Sequence, residues 1–339
     1  MAYLFRNLVF EGGGVKGIAY VGALEALREK GILDNIERVG GTSAGAINAI
    51  LAGLNYSEAE TRELLWELDF NNFMDDSWGI SKDAQRLMDR YGWYKGDFFR
   101  AWIGELIRAK TGNSESTFAD IRAMKDQKGF RDLYFIGTNL STRFSEIFSY
   151  EHTPRMCVAD AVRISMSIPL FFAAVKSIRE DVYVDGGVLK NYPVKLFDRE
   201  KYVTENALRT TYYEKENVLL AESSRPVSPY VFNKETLGFR LDSKEETPLF
   251  RDHAEPVHHP IDDLFSYAWG LIETILESQQ NAHLHGDDWQ RTVYIDSLGV
   301  KTTEFNLSDE TKRDLIASGR QGVEAYFDWY DNTADAVNK

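Results

Sequence analysis

Several features that would point to particular classes of protein are missing from this sequence of 339 residues. It has a single cysteine, Cys157, so no disulfide can form within the chain. It has no run of about eighteen apolar residues, so no transmembrane helix is expected. The opening stretch MAYLFRNLVFEGGG is interrupted by Arg6 and Asn7 and has no small-residue cleavage site. A signal peptide is therefore not expected either, and the protein should be cytoplasmic or exported by a leaderless route.

Positive charge is also scarce, because 39 lysines and arginines face 53 aspartates and glutamates and the net charge is −14. A nucleic-acid-binding protein normally carries a basic face. Adsorption to anionic lipid by charge alone requires basic residues as well. The composition therefore argues against a nucleic-acid partner and against a membrane partner held by overall charge, and it leaves only a local basic patch open.

Strand-like and helix-like segments alternate at the start of the chain. Residues 7–10 predict a buried strand that ends at glycines, and a helix is expected over 17–30. A second strand in ERVGG, residues 37–41, is followed by a helix with apolar residues at helical spacing. This repetition within 54 residues predicts a parallel sheet with crossover helices.

The remaining segments are assigned from the same patterns. We predict mostly helix over 57–125, strands at 132–140 and 146–150, a helix at 157–168, a short strand at 181–187, loops over 203–262, an amphipathic helix at 262–283, a strand at 291–296 and a last helix capped by Ser308. No flexible linker separates these segments. We therefore expect one domain over 1–339, with a motif-bearing core over about 5–200 and elements over about 201–330 that complete it.

A glycine-rich loop follows the first predicted strand in LVFEGGGVKGIAY. Gly12, Gly14 and Gly17 have the G-x-G-x-x-G spacing of a dinucleotide-binding turn. Free amides at a helix N-terminus bind anions of any kind, so the spacing alone does not identify the anion. A dinucleotide site also needs an acidic residue near the end of the second strand, and Glu37 stands at its start. That placement weakens the dinucleotide hypothesis.

A second motif follows the second predicted strand. Residues 41–45, Gly-Thr-Ser-Ala-Gly, form a G-x-S-x-G sequence, which is typical of a nucleophile elbow when a strand precedes it and a helix follows. The alternative is a turn serine that only caps the helix. A serine nucleophile needs amides aimed at the developing oxyanion, and the closely spaced amides of Gly12, Gly13 and Gly14 could supply them.

The candidate base is Asp185, which ends a short predicted strand and precedes Gly186 and Gly187. Functional groups of open parallel sheets collect at the carboxyl ends of strands, and an aspartate near Ser43 could take its proton directly. The alternative is a hairpin turn, since Asp-Gly is a turn signal. An α/β-hydrolase with the order Ser, Asp, His places several strands before its elbow, whereas only one precedes Ser43 here.

Taken together, the three motifs resemble those of the patatin-like phospholipases, and later segments resemble bacterial members. The family pattern is a G-G-G-x-[RK]-G loop, a G-x-S-x-G elbow and an Asp-Gly-[GA] box in this order. All three match here, at residues 12–17, 41–45 and 185–187. RISMSIPLFFAAV at 163–175 and NYPV at 191–194 are also similar to family segments, so the resemblance extends over nearly the whole chain.

The resemblance implies a three-layer α/β/α fold with a central, mostly parallel sheet and a serine acyl hydrolase that cleaves lipid esters through an acyl-enzyme. Ser43 would be the nucleophile and Asp185 the base, without a histidine. The implied oxyanion hole consists of the Gly13 and Gly14 amides, with Gly12 and Ala44 beside them. Lys16 would brace the loop or meet a phosphate. The supporting glycines are Gly17, Gly41, Gly45, Gly186 and Gly187.

Other functions stay open at this stage. The protein could be an esterase for soluble esters, a dinucleotide-binding module or a catalytically silent scaffold. No cofactor is implied, and HAEPVHHPIDD at 253–263 has no metal-ligand spacing. The expected partner is a lipid substrate at a membrane or micelle surface, and a protein activator is left open. The aromatic stretch 70–102 is interpreted mainly as a small helical core, with a few side chains lining an acyl pocket.

Overall fold

The strands and helices of the protein are taken from a computed structural model, which describes residues 3–73, 91–204, 208–222, 227–242, 260–262, 267, 270–272, 274–275, 286–334 and 336–339. The strands in these ranges are β1 (Asn7–Phe10), β2 (Arg38–Gly41), β3 (Gly92–Tyr94), β4 (Asp132–Asn139), β5 (Phe144–Ser149), β6 (Leu170–Phe172), β7 (Val175–Lys176), β8 (Val182–Asp185), β9 (Thr236–Asp242) and β10 (Thr292–Asp296). The helices are α1 (Ala19–Glu29), α2 (Ala44–Gly53), α3 (Glu58–Trp66), α4 (Asp97–Thr111), α5 (Phe118–Lys128), α6 (Val158–Ser165), α7 (Gly187–Lys190), α8 (Glu214–Ala221) and α9 (Asp309–Asn332).

One large sheet organises the molecule, with the strand order β10-β9-β1-β2-β4-β8-β7 and with β5 also paired to β4. The pairs from β10 through β9, β1 and β2 to β4 are all parallel. The pairs of β4 with β5 and β8, and of β7 with β8, are antiparallel. The predicted central and mostly parallel sheet is therefore confirmed, with an antiparallel region added at one side. Strands β3 and β6 form a separate two-stranded sheet.

Helices and short turns cover the two faces of this sheet. Leu8 and Phe10 of β1 point into the larger core, together with side chains of α1, α2 and α9. Val9 points to the opposite face and packs in a smaller cluster with Leu196 and Phe197. This alternation is the two-residue period of a strand that is buried on both faces, and it gives the layered α/β/α arrangement.

Helix α9 packs closely on α1, which directly follows the glycine-rich loop. A Cβ atom added to Gly22 of α1 would lie 1.9 Å from the Ile316 carbonyl oxygen, and one added to Gly319 would lie 1.8 Å from that of Ala19. The two backbones can approach only because both residues are glycines. The predicted cap of α9 is confirmed, since the Ser308 hydroxyl accepts a hydrogen bond from the Thr311 amide at 3.1 Å.

The prediction of loops over 203–262 was wrong at residues 214–221, where α8 lies, and at residues 236–242, where β9 pairs with β1 in the parallel part of the sheet. The strand carries the charged residues Arg240 and Asp242, which interrupt the apolar run by which a buried strand is predicted. In the structure the guanidinium Nε of Arg240 donates to Asp242 at 2.9 Å, so each charge has a partner. Such pairing depends on tertiary structure that sequence periodicity does not record.

Some predicted segments lie outside the described residues. The helix predicted over 262–283 and the histidine-containing stretch 253–263 fall largely there, as do residues 74–90 of the aromatic stretch. Of the aromatic residues that are described, Phe73 and Phe99 are buried and meet edge to face at 4.9 Å between ring centroids. None of the described helices has both the length and the apolar character needed to cross a bilayer.

Candidate active site

Ser43 occupies a strained turn between β2 and α2. Its φ of 54° and ψ of −127° lie in a region that non-glycine residues rarely adopt, at a typical cost of about 1–3 kcal/mol. Its side chain makes no capping hydrogen bond to α2, which excludes the alternative of a simple helix cap. The turn also requires Gly45, where an added Cβ would lie 2.3 Å from the Phe10 carbonyl oxygen. This is the geometry of a nucleophile elbow.

Asp185 reaches the same place from the other end of the chain. On β4, Phe135 pairs with Gly41 of β2, and Gly137 pairs with Asp185 of β8. Strand β5 pairs with β4 along residues 134–139 and so occupies one side of it. Strands β2 and β8 therefore both pair with the other side of β4. Strand β2 pairs with its first half, and β8 pairs with its second half. Asp185 consequently stands at the point where β2 ends and the elbow begins.

The Asp185 carboxyl is buried and only partly satisfied. Its Oδ1 atom accepts a hydrogen bond from the Gly187 amide at 2.7 Å, a bond typical of an aspartate turn. Its Oδ2 atom is buried without a hydrogen-bond partner in the described part of the chain. Burial raises the pKa of Asp185 to about 7, against smaller opposing effects of the Gly187 amide and the Ser43 hydroxyl. The Asp-Gly pair thus forms the expected turn and also presents an unsatisfied oxygen.

The last residue of α6 and the two residues after it contact Ser43 and Asp185. The Ser165 hydroxyl accepts a hydrogen bond from the Ser43 amide at 3.1 Å, and Met166 Sδ accepts one from the Ser43 hydroxyl at 3.5 Å. The Ser167 carbonyl accepts from the Asp185 amide at 2.8 Å. Sequence patterns identified this segment only as similar to a family segment and assigned it no role. In the structure it holds the backbones of both candidate catalytic residues.

The glycine-rich loop lies against Ser43, the candidate nucleophile. A Cβ built on Gly12 would stand 3.0 Å from the Ser43 Cβ. The Gly12 amide already donates to the Asn191 carbonyl at 3.2 Å, so it is not free to bind an oxyanion. The amides of Gly13, Gly14 and Ala44 have no acceptor among the residues that the structure describes. Of the four predicted oxyanion-hole amides, three are thus free to bind an oxyanion. The Gly12 amide instead connects the loop to Asn191.

Gly14 is the position in this loop where glycine is required most clearly. Its φ is +56°, and an added Cβ would lie 2.1 Å from the Thr302 carbonyl oxygen. The same carbonyl accepts a hydrogen bond from the Val15 amide at 3.2 Å. The segment between β10 and α9 therefore contacts one side of the glycine-rich loop. On the side of the elbow, Gly17 packs against Ala44.

Asn191 and Lys190 connect the loop to the elbow, and sequence reasoning gave them no role. The Asn191 side chain donates to the Gly12 carbonyl at 3.1 Å. The Lys190 carbonyl accepts from the Thr42 hydroxyl at 3.0 Å. Both residues follow the Asp185 box at the end of α7. One turn after Asp185 is therefore hydrogen-bonded both to the elbow and to the glycine-rich loop.

Glu11 lies beneath the loop and is completely buried. Its carboxylate accepts a hydrogen bond from the Leu241 amide at 2.8 Å, which ties the loop to β9. Burial raises the pKa of Glu11 to about 7, while the nearby charges of Arg240 and Lys16 act to lower it. Lys16 acts in the same direction on the Asp242 carboxyl. This position of Lys16 favours the role of bracing the loop.

A cleft of about 630 Å³ lies between α3 and α4, and its lining combines apolar side chains with the carboxylates of Glu60, Glu63, Glu67, Asp69 and Glu105. Its lining includes Leu64, Leu68, Trp102 and Leu106. Leu68 also lines a small cavity of about 10 Å³ together with Gly14 and Ala44. Leu68 is thus common to the linings of these two separate cavities. Within the described ranges, no group of His, Cys, Asp and Glu side chains has the arrangement of a metal site.

Comparison with known sequences gives a consistent result. The family model of the patatin-like phospholipases matches residues 8–198. YqhO, an uncharacterized protein of Bacillus subtilis (strain 168), is 32% identical over 337 residues, which cover 95% of this chain and 98% of YqhO. The probable lipid hydrolase 463L of Invertebrate iridescent virus 6 is 26% identical over 195 residues, covering 57% of this chain and 63% of that protein.

Solved structures share the fold at low sequence identity. VipD from Legionella pneumophila superposes with a TM-score of 0.54 at 16% identity, covering 96% of this chain and 67% of VipD. ExoU from the type III secretion system of Pseudomonas aeruginosa, solved in complex with SpcU, superposes with a TM-score of 0.50 at 19% identity. That match covers 98% of this chain and 53% of ExoU.

Proposed function

Because the chain belongs to the patatin-like phospholipase family, we propose that it cleaves carboxylic esters of phospholipids or lysophospholipids with a Ser43–Asp185 dyad. The observation that carries this proposal is the order of strands along one side of β4. Gly41, two residues before the nucleophile, pairs with Phe135, and Asp185 pairs with Gly137. This order supports the dyad, because it brings the end of β2, which leads into Ser43, towards Asp185 of β8 although the two residues are far apart in sequence.

The proposed reaction proceeds through an acyl-enzyme. Asp185 takes the proton of the Ser43 hydroxyl as Oγ attacks the ester carbonyl carbon. The carbonyl oxygen becomes an oxyanion and is bound by the free amides of Gly13, Gly14 and Ala44. Asp185 then gives the proton to the leaving alcohol as the ester C–O bond breaks. Water attacks the acyl-serine with Asp185 as base, and the proton returns to the Ser43 oxygen as the fatty acid leaves.

Burial suits Asp185 to both halves of this cycle. A carboxyl with an ordinary pKa would be a weak acid-base catalyst near neutral pH, because its conjugate acid would almost never be present. The raised pKa of about 7 lets it accept and return a proton under the same conditions. The buried and unpartnered Oδ2 atom is the oxygen that we assign to the proton transfer.

The volume of the cleft favours a substrate with a long acyl chain over a small soluble ester. The cleft has enough volume for a fatty-acyl chain, and apolar side chains such as Leu64 and Trp102 form part of its wall. Leu68 belongs both to the wall of the cleft and to that of the small cavity beside Gly14 and Ala44, so the acyl chain of the proposed substrate would extend from the oxyanion amides past Leu68.

The test compares wild type with Ser43→Ala on mixed membrane lipids, with products identified by mass spectrometry. Ser318→Ala is the matched control, because Ser43 and Ser318 are both 6% exposed and Ser318 lies on α9. We expect fatty-acid release by wild type and Ser318→Ala only, and labelling of Ser43 by a fluorophosphonate. Fatty-acid release by a folded Ser43→Ala protein would contradict the proposal. Activity that appears only after addition of cell extract would indicate a protein activator.

A further inference from the structure

Two turns project side by side from the antiparallel region of the sheet. The β4–β5 turn spans 140–143, and the β7–β8 turn spans 177–181. The Leu140 amide donates to the Val182 carbonyl at 2.8 Å, and the Val182 amide donates to the Ser141 hydroxyl at 3.0 Å. The two turns are thus hydrogen-bonded where they leave the sheet. We name residues 140–144 and 176–181 the hairpin-tip surface.

The hairpin-tip surface lies at the edge of the sheet that carries the candidate active site. Asp185 and the elbow lie where β2 ends, and β4 continues past that point for four residues to Asn139. Asn139 pairs with both Phe144 and Tyr183. At about 3.3 Å per residue, Val182 is only roughly 10 Å along β8 from Asp185. A substrate-bearing surface in contact with the tips would therefore be close to the dyad.

Large apolar side chains of this surface are exposed to solvent. Ile178 is fully exposed, Phe144 is 71% exposed and Leu140 is 46% exposed. Exposed apolar residues scattered singly need no explanation, whereas three on two adjacent turn tips form a patch. Loop tips usually carry polar residues, so this composition points to a partner that accepts apolar side chains.

Basic side chains accompany the apolar ones. Arg143, Lys176 and Arg179 are exposed, and none of them forms an ion pair with a described carboxylate. The acidic side chains of the same surface are Glu180 and Asp181. The surface therefore has a small excess of positive charge (three against two) on a chain whose net charge is −14. The surface therefore lacks the large acidic excess of the chain as a whole.

We propose that the hairpin-tip surface docks the enzyme on a lipid bilayer that contains anionic phospholipid, with Leu140, Phe144 and Ile178 entering the interface. The proposal rests on the proposed lipid hydrolysis and assigns the membrane-facing side of the same site. Apolar side chains supply the burial, and the three cations supply attraction to the anionic head groups. Two narrow turn tips offer little flat area for a second folded chain, but they can enter a soft interface.

The binding experiment uses Ser43→Ala protein, so that lipid turnover cannot alter the vesicles. Binding is measured by co-sedimentation with vesicles of phosphatidylcholine alone and of phosphatidylcholine with phosphatidylglycerol. The test variant adds Phe144→Ser and Ile178→Ser. The matched control adds Val218→Ser and Leu219→Ser on α8, where the two side chains are 58% and 68% exposed. Circular dichroism verifies that all of the proteins are folded.

We expect the test variant to bind mixed vesicles about tenfold more weakly or worse, and the control to bind as the parent does. Arg143→Gln with Arg179→Gln should remove the preference for vesicles with phosphatidylglycerol. In the active enzyme, Phe144→Ser with Ile178→Ser should keep the rate on a soluble p-nitrophenyl ester and lower the rate on vesicles.

Equal vesicle binding by the test variant and the control would overturn the proposal. A dimer seen by light scattering and dissociated by Phe144→Ser with Ile178→Ser would also overturn it, because the surface would then bind a second copy. A failure of the proposed function would give a result that can be distinguished from a failure of the docking proposal. In that case wild type hydrolyses no ester, while the vesicle binding of the Ser43→Ala protein still reports on the surface.

Discussion

Gly12 and Asn191 are joined by two hydrogen bonds of opposite direction, one from the Gly12 amide to the Asn191 carbonyl at 3.2 Å and one from the Asn191 side chain to the Gly12 carbonyl at 3.1 Å. The pair connects the oxyanion loop to the segment that carries Asp185. The side-chain bond fixes the peptide between Gly12 and Gly13, and that peptide contains the Gly13 amide. We therefore expect Asn191 to act on the proposed reaction through the position of this amide.

Asn191→Ala should lower kcat by about tenfold to a hundredfold with little change in KM, because the Gly13 amide stabilises charge that develops only in the transition state. Steady-state kinetics on a soluble ester measure this split. Asn338→Ala is the matched control, since Asn338 is also buried and its side chain donates to Gln290 and Tyr326. It should cost stability and leave the kcat of the folded enzyme unchanged. Equal kcat values for the two variants would contradict the role of Asn191.

Gly14→Ala should also reduce kcat, because a methyl group at this position collides with the Thr302 carbonyl and displaces the loop. Gly31→Ala is the matched control, because it carries the cost of a positive φ without such a collision. Gly31 has a φ of +69°, and an added Cβ there meets nothing within 4 Å. We expect Gly31→Ala to lower the free energy of unfolding by about 1 kcal/mol without changing kcat. Similar kcat values for the two variants would place the oxyanion hole elsewhere.

Local sequence patterns predicted the parts of the site that depend on local geometry. The strand, glycine turn and helix around Ser43 were correctly placed because short apolar runs and glycines report on nearby backbone. The contacts that hold the site were not predicted. Ser165 is 122 positions from Ser43, and Asn191 is 179 positions from Gly12. No periodicity relates residues so far apart, and their roles follow only from the way that β4 brings β2 and β8 together.

Asp185→Asn should stabilise the protein above neutral pH while removing activity. The folded protein holds the Asp185 proton to about pH 7, whereas the unfolded chain loses it near the ordinary value of 3.8. The contribution of this group to stability is complete below that ordinary value and is lost as the pH rises through the folded value. Asparagine carries no charge, and its Oδ1 atom can still accept the hydrogen bond from Gly187.

The free energy of unfolding of Asp185→Asn should therefore exceed that of wild type by on the order of 3 kcal/mol at about pH 8, and the difference should vanish towards about pH 4. Urea denaturation at several pH values measures it. Asp126→Asn on α5 is the control, because this carboxylate is exposed, and it should change stability by less than about 0.5 kcal/mol at any pH. If Asp185→Asn were less stable than wild type at high pH, burial would not be the cause of the raised pKa of Asp185.

The acid limb of kcat/KM should follow Asp185, with an apparent pKa near 7, because only the ionised carboxyl can accept the Ser43 proton. Glu11 is the other buried carboxyl at the site with a pKa of about 7. Glu11→Gln keeps most of its packing and removes its titration, so the acid limb should persist in this variant. If the acid limb of kcat/KM disappeared in Glu11→Gln, the titrating group would be Glu11 and not Asp185.

Histidine substitutions provide the strongest test of the dyad, since an ordinary histidine pKa of about 6.5 would give a similar acid limb. His152 is described by the structure, and it bonds to the Ser149 hydroxyl at 2.7 Å. Ser149 pairs with Tyr134 near the start of β4, three residues before the partner of Asp185. This histidine is therefore displaced from the dyad towards the amino end of the strand. The other five, His253, His258, His259, His283 and His285, lie outside the described residues.

Each of the six histidines can be changed singly to Asn or Gln. If Asp185 is the direct base, every variant should keep its activity within about tenfold, because only packing or hydrogen bonding changes. Asp185→Asn should instead reduce kcat nearly as far as Ser43→Ala, since the amide cannot accept a proton. A triad predicts that one histidine is as essential as the serine, with a smaller loss for the aspartate. A folded histidine variant as inactive as Ser43→Ala would thus replace the dyad with a triad, whatever the pH profile shows.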